Sequence, residues 1–316
     1  MSLTTTRFAR LARFVVYVPR RQIQMAVHFT QLTSHLWVTQ SQLFATNSGV
    51  FLSGDEACLI DPGIAPETIE DIARFVAEQG ATPRAIVLTH AHWDHVLGPE
   101  HFAGVPVITH ADYLWVLREH GADLYRQIGG WEAQAHIRRP RPRPFLLPKP
   151  TYTFDTALTL TLGDIRLRVF HVPGHALDQC AVYHAEDATL WAADMLSDIE
   201  IPLVLSLNAY EATLAHLATL DIRALVPGHG ASTTDVGEIR RRLAADRAYL
   251  AELRERVTAA LATGHTLAET VAACNDMPLP CPCDDPTPHT WNVESAYAEL
   301  GGPVEGAVGW EREWSA

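Results

Sequence analysis

From Met25 the chain alternates short apolar runs with turn residues, and "HLWVTQ", "GVFLS" and "ACLIDPG" read as the strands of an opening meander. Residues 66–80, "PETIEDIARFVAEQG", then place Ile69, Ile72, Ala73 and Val76 at helical spacing, with Pro66 at a helix start and Gly80 at its stop. "AIVLTH" (85–90) and "PVITH" (106–110) are buried-strand runs, each ending where polar residues begin. The strand pattern then stops until Thr151, in a stretch rich in Trp, Tyr and Arg that closes on "RRPRPRPFLLPKP". Proline at that density excludes regular sheet, so 111–150 is expected to be a cap inserted over the surface.

A second set of strands follows in "ALTLTLG", "IRLRVFHV", "QCAVYHA" and "TLWAAD", then a helix near 209–219 and a last strand at "ALVPGHG". This order predicts two stacked sheets with helices outside. Beyond Thr234 the period changes: Ile239, Leu243, Leu250, Leu253, Val257 and Leu261 form one helical stripe. A short helix at "TLAETVAAC", a Pro/Cys-rich loop at 275–288 and a helix near "WNVESAYAEL" complete the chain. The expected organisation is an extension at 1–24, a catalytic domain at 25–235 with the cap at 111–150, and a helical extension at 236–316.

Composition adjusts this picture modestly. At 316 residues and 47% apolar content the chain can build a sizeable core. No apolar run approaches the roughly 20 residues of a membrane span, so no membrane partner is expected. The 24 basic residues against 37 acidic ones, a net charge of -13, argue against a surface that tracks a phosphate backbone. The five cysteines, an odd and scattered set, fit a cytoplasmic location better than a secreted disulfide framework. Residues 1–24 hold five arginines and no acidic residue. A transit peptide is one reading of them, and an extension ahead of a domain that opens at Met25 is preferred.

The chemistry concentrates in "IVLTHAHWDHVLG" (86–98), where His90, His92, Asp94 and His95 form H-x-H-x-D-H directly behind an apolar strand. A chance match in a chain with 16 histidines comes to roughly two in a thousand. Imidazole and carboxylate are ligands for zinc-type ions. Four of them so close cannot all reach one ion, which points to two adjacent ions and to further ligands elsewhere. His175 in "HVPGH", Asp194 in "WAAD" and His229 in "VPGHG" each follow a strand, where a rigid scaffold presents reactive groups.

This set of seven resembles that of the metallo-β-lactamase-fold hydrolase superfamily, in its glyoxalase II-like, binuclear branch, over about residues 30–232. The resemblance implies an α/β (α+β) chain folded as an αββα four-layer sandwich, with one metal held by His90, His92 and His175, a second by Asp94, His95 and His229, and Asp194 bridging. Asp61 in "LIDPG" matches the family's early acidic residue and is expected to orient a ligand histidine. The extension resembles the winged-helix-like tail of another subgroup. Met195, Leu196 and Ser197 stand where related lactonases carry a tyrosine, and the basic and tyrosine motifs of glyoxalase II have no match here.

The expected activity is hydrolysis of an ester, thioester or lactone by hydroxide bridging two divalent ions, zinc first and iron or manganese as alternatives, with Asp94 also handling the proton. A ribonuclease or phosphodiesterase and a mononuclear iron oxygenase of the same fold are the alternatives, and the complete second ligand set weighs against the oxygenase. The substrate is expected to be a small molecule, and a homo-oligomer is compatible with the sequence. Tyr113, Trp115, Tyr125 and Trp131 of the cap either line a pocket over the metals or form the cap's own core. The basic run Arg138, Arg139, Arg141, Arg143 and Lys149 is read as a solvated loop. His110, His171 and His184, and Cys274, Cys281 and Cys283 with His289, are assigned no metal.

Overall fold

The structure is a computed structural model that describes residues 27–134, 141, 144–306 and 308–309. The extension at 1–24 and Arg138, Arg139 and Arg143 of the basic run lie outside the described residues. One sheet runs in the order β1 (Phe29–Gln31), β2 (Leu36–Gln40), β3 (Asn47–Ser53), β4 (Glu56–Ile60), β5 (Thr82–Val87), β6 (Val107–His110), β7 (Tyr152–Phe154). It is antiparallel through β4 and parallel from β4 to β7. The other is ordered β12 (Ala224–Pro227), β11 (Thr189–Ala193), β10 (Cys180–His184), β9 (Ile165–His171), β8 (Ala157–Leu162). Only its β11–β12 pair is parallel.

The period-two side-chain alternation of strands divides the apolar residues among three cores. On β3, Val50 faces α1 (Pro66–Glu78) and α2 (Tyr113–Gln134), packing with Ile69 and Ile72 of the first and Tyr113 and Val116 of the second. Its neighbour Phe51 faces the other sheet, with Val169, Val182, Trp191 and Val226. On β11, Leu190 and Ala192 point outward to a third core built by α3 (Leu207–Leu217), α4 (Val236–Ala262), α5 (Leu267–Cys274) and α6 (Thr287–Glu299). The layers are therefore helix, sheet, sheet, helix, as the pattern of runs and the resemblance both imply.

Two features depart from the sequence reading, and the C-terminal extension is helical as expected. The cap region contains α2, a 22-residue helix, and the segment after it returns along the helix. Phe145 is buried there, the Tyr113 hydroxyl donates to Pro148 O at 3.1 Å, and Leu147 N donates to the Tyr125 hydroxyl at 3.0 Å. Arg141, read as solvated, is 2% exposed. It donates to Glu132 of α2 at 2.6 Å and to the carbonyls of Leu97 and Ile64, tying the cap to the sheet loops. The C-terminal extension consists of α4, α5 and α6, and among the described residues no strand follows β12.

That extension grips the loop between β11 and α3. Asn292 of α6 accepts from Val204 N at 2.7 Å and donates to Pro202 O at 2.6 Å. Glu299 caps α3 by accepting from the Ser206 hydroxyl and Asn208 N, and Arg242 of α4 donates to Leu196 O at 3.3 Å. No helix among the described residues is long and apolar enough to cross a membrane.

Candidate metal centre

Strand direction sets the site. Because β10 runs antiparallel to both β9 and β11, and β11 parallel to β12, the strands β9, β11 and β12 all end on one edge of their sheet. His175 follows β9, Asp194 is the first residue after β11, and His229 is the second after β12. Across the sandwich, the turn after β5 brings His90, His92, Asp94 and His95 to the same edge. Ala193 and Leu196, either side of Asp194, adopt positive φ of 51° and 59°. A Cβ on Gly228 would collide with the Asp194 carboxylate, so the β12 turn can pass this close only as glycine.

The seven side chains fall into two groups whose donor atoms lie within 4.8 Å of one another: His90, His92, His175 and Asp194, and Asp94, His95 and His229. Asp194 Oδ2 is 3.5 Å from His90 Nε2 and 3.4 Å from His175 Nε2. It also approaches the second group, with Oδ1 3.3 Å from His95 Nε2 and Oδ2 3.4 Å from His229 Nε2. His175 Nε2 lies 3.0 Å from His92 Nδ1, and Asp94 Oδ2 lies 3.2 Å from His229 Nε2. Donors each about 2.0–2.1 Å from a tetrahedral ion lie about 3.4 Å apart, so these edges fit zinc-type coordination.

Hydrogen bonding on the far side of the rings supports the same reading. Asp61, 2% exposed, brings Oδ2 to 2.9 Å from His95 Nδ1. The same oxygen accepts the Thr89 hydroxyl at 2.7 Å, which leaves Thr89 Oγ1 to accept from His90 Nδ1 at 3.0 Å. His229 Nδ1 donates to Phe44 O at 2.9 Å. With Nδ1 carrying the proton, each of these rings turns its Nε2 lone pair inward. The Nε2 atoms of His90 and His95 and Oδ1 of Asp194 are buried without a hydrogen-bond partner, a costly arrangement for a purely structural cluster and a natural one for metal donors.

The charges are balanced within the cluster. Burial alone pushes Asp194 up, yet His95, His229 and His90 hold it well below the usual carboxylate range, and His95 and His229 lower Asp94 against its own burial in the same way. Burial opposes charge on His95 and His229 too, but the surrounding carboxylates raise both well above an ordinary histidine. His92 is lowered by burial and by its neighbours His90 and His175, and burial takes His175 down to about 3.

The chain over residues 42–229 matches the family model of the metallo-beta-lactamase superfamily. The protein belongs to that superfamily. It is 29% identical over 191 residues to acyl-coenzyme A thioesterase MBLAC2 of Gallus gallus, covering 54% of this chain and 67% of the relative. It is 27% identical over 221 residues to the atrochrysone carboxyl ACP thioesterase of Aspergillus chevalieri, of whose length the match spans 62%. Among solved structures, a metallo-beta-lactamase family protein from Thermus thermophilus superposes with a TM-score of 0.62 at 21% identity, over 88% of this chain and 98% of that one. The sec-alkylsulfatase Pisa1 from Pseudomonas sp. gives a TM-score of 0.70 at 17% identity over 89% of this chain, which spans about half its length (51%). At these identities the two structures share the fold.

His110, Asp112 and His171 also bring donor atoms within 4.8 Å of one another, but three of the four ring nitrogens have backbone partners. His110 and His171 stack at 3.7 Å and 11° beside Asp112. Each donates its Nε2 proton to a backbone carbonyl, of Asp155 and Leu177 respectively. His110 Nδ1 in turn accepts from Asp112 N at 3.2 Å, which engages its lone pair. His289 bridges the Tyr249 hydroxyl and Cys274 O, and all five cysteines are unpaired. Sequence reasoning missed Thr89, which no metal motif requires, and Glu200, whose carboxylate lies 3.9 Å from His229 Nδ1.

Proposed function

We propose that this superfamily hydrolase is a binuclear metal enzyme that cleaves carboxylic thioesters or esters, lactones included. The observation that carries the reading is Asp194, one carboxylate within 3.5 Å of imidazole nitrogens from both donor groups, as a bridge between two ions requires. His90, His92 and His175 would hold one ion and Asp94, His95 and His229 the other. The thioester class is favoured because two relatives are named for thioester hydrolysis.

When bound, two divalent ions supply a water acidified toward neutrality and an electrophilic contact for the carbonyl oxygen. The chain provides the rest. Asp61 and Thr89 lock the His95 and His90 rings so that no donor reorients during the reaction. Asp94, whose Oδ2 lies 3.2 Å from His229 Nε2 and 3.6 Å from His95 Nε2, would orient the attacking water and accept its proton. The reading is tested by assaying acyl thioesters, aryl esters and lactones against protein loaded with zinc, iron or manganese. Turnover that is lost on chelation and restored by metal supports it; cleavage of bis-aryl phosphodiesters with none of the carboxylic substrates overturns it.

A further inference from the structure

The sequence offers four cap aromatics as candidates for a pocket, and the structure separates them. Tyr113 is fully buried, Tyr125 packs on Phe145 with its hydroxyl engaged by the returning segment, and exposed Trp115 contacts His120. Trp131, near the end of α2, reaches the metal loop. Its ring stacks on Trp93 at 5.4 Å and 17°, and Phe44 sets its edge against both, 4.6 Å from Trp131 and 5.5 Å from Trp93.

Two members of this trio are anchored to the centre, and Trp131 packs on both. Trp93 stands between His92 and Asp94 in the chain. Phe44 occupies a turn in which two successive non-glycine residues, Phe44 and Ala45, adopt left-handed φ of 57° and 48°. Such backbone costs energy at every residue that adopts it and persists only where its surroundings impose it. Here the Phe44 carbonyl accepts from His229 Nδ1 at 2.9 Å and the Ala45 carbonyl from Gly230 N at 3.1 Å. The turn that orients His229 also sets the Phe44 ring against Trp93 and Trp131. All three rings remain partly exposed. The loops of the other donors add exposed Leu177, two residues past His175, and Ile199, beside Glu200.

We propose that Phe44, Trp93 and Trp131 form the wall that binds the substrate's acyl group, and that this group is an apolar chain of several carbons. The proposal rests on the carboxylic ester or thioester reading above. A wall of three rings carries no charged group to pair with a polar acyl substituent, whereas every methylene laid on it leaves water.

The test uses zinc-loaded protein and straight-chain carboxylates from acetate to decanoate, titrated by calorimetry, with acyl thioesters of the same lengths assayed in parallel. In the wild type, affinity for the carboxylates is expected to rise about two- to fourfold per added methylene. Trp131→Ala is expected to flatten that slope and Trp131→Phe to keep most of it, with metal content measured for each variant. Affinity independent of chain length, or a wild-type slope in a folded, metal-replete Trp131→Ala protein, overturns the wall. Length-dependent carboxylate binding with no thioester or ester turnover leaves the wall standing and removes the hydrolytic reading. Turnover without length dependence does the reverse.

Discussion

Oδ2 of Asp61 lies 2.9 Å from Nδ1 of His95, and through the Thr89 hydroxyl the same oxygen also holds His90. One buried carboxylate thus fixes a histidine from each donor group. Asp61→Asn should lower metal affinity about 10- to 100-fold, and Thr89→Val, which strips His90 Nδ1–H of its acceptor, should do so toward the lower end of that range. Competition with a chromophoric chelator reads the change. Unaltered affinity in both variants would show that these hydrogen bonds are incidental.

The loop after Asp194 depends on a residue nearly a hundred positions away. Replacing Asn292 by Leu leaves Val204 N–H and Pro202 C=O buried and unpaired, at about 1–3 kcal/mol each. Thermal unfolding should show a fall in melting temperature of several degrees, and the variant should also bind metal more weakly because the loop loosens. A melting temperature within a degree of wild type would contradict this account of how the C-terminal helices support the site.

Asp246 of α4 accepts from Leu196 N inside the third core, and burial pushes it up to about 7 despite Arg242 one turn away. An unfolded aspartate titrates near 3.9, so between about pH 4 and pH 7 the native state holds more protons and stability falls as pH rises. Asp246→Asn keeps an acceptor and removes the ionisation. It should be more stable than wild type at pH 8, by about 4 kcal/mol for a rise from near 3.9 to about 7, with the difference gone near pH 4. Urea denaturation at the two pH values decides it, and equal stability at pH 8 would refute the assignment.

Much of the fold and most of the candidate site are legible because their physics is local. Metal donors must be of certain types at certain spacings, so "HAHWDH" declares itself, and the strands before His175, Asp194 and His229 show in their apolar runs. What escapes reading is decided by partners distant in sequence or by broken periodicity. Gly121, Gly129 and Gly130 and the scattered aromatics obscure α2, while β1 and β7, three residues each, are too short for alternation to show. Arg141 looks solvated until α2 forms and brings Glu132 to it. Phe44 becomes part of the site only through the backbone of a strained turn, which leaves no trace in residue type.

The count of ions per chain tests the central claim most directly. Elemental analysis of protein purified with zinc should give two ions for the wild type, one for His229→Ala, and at most one for His92→Ala or Asp194→Ala, all with folded spectra. One ion in the wild type, unchanged in His229→Ala, would contradict the shared binuclear centre.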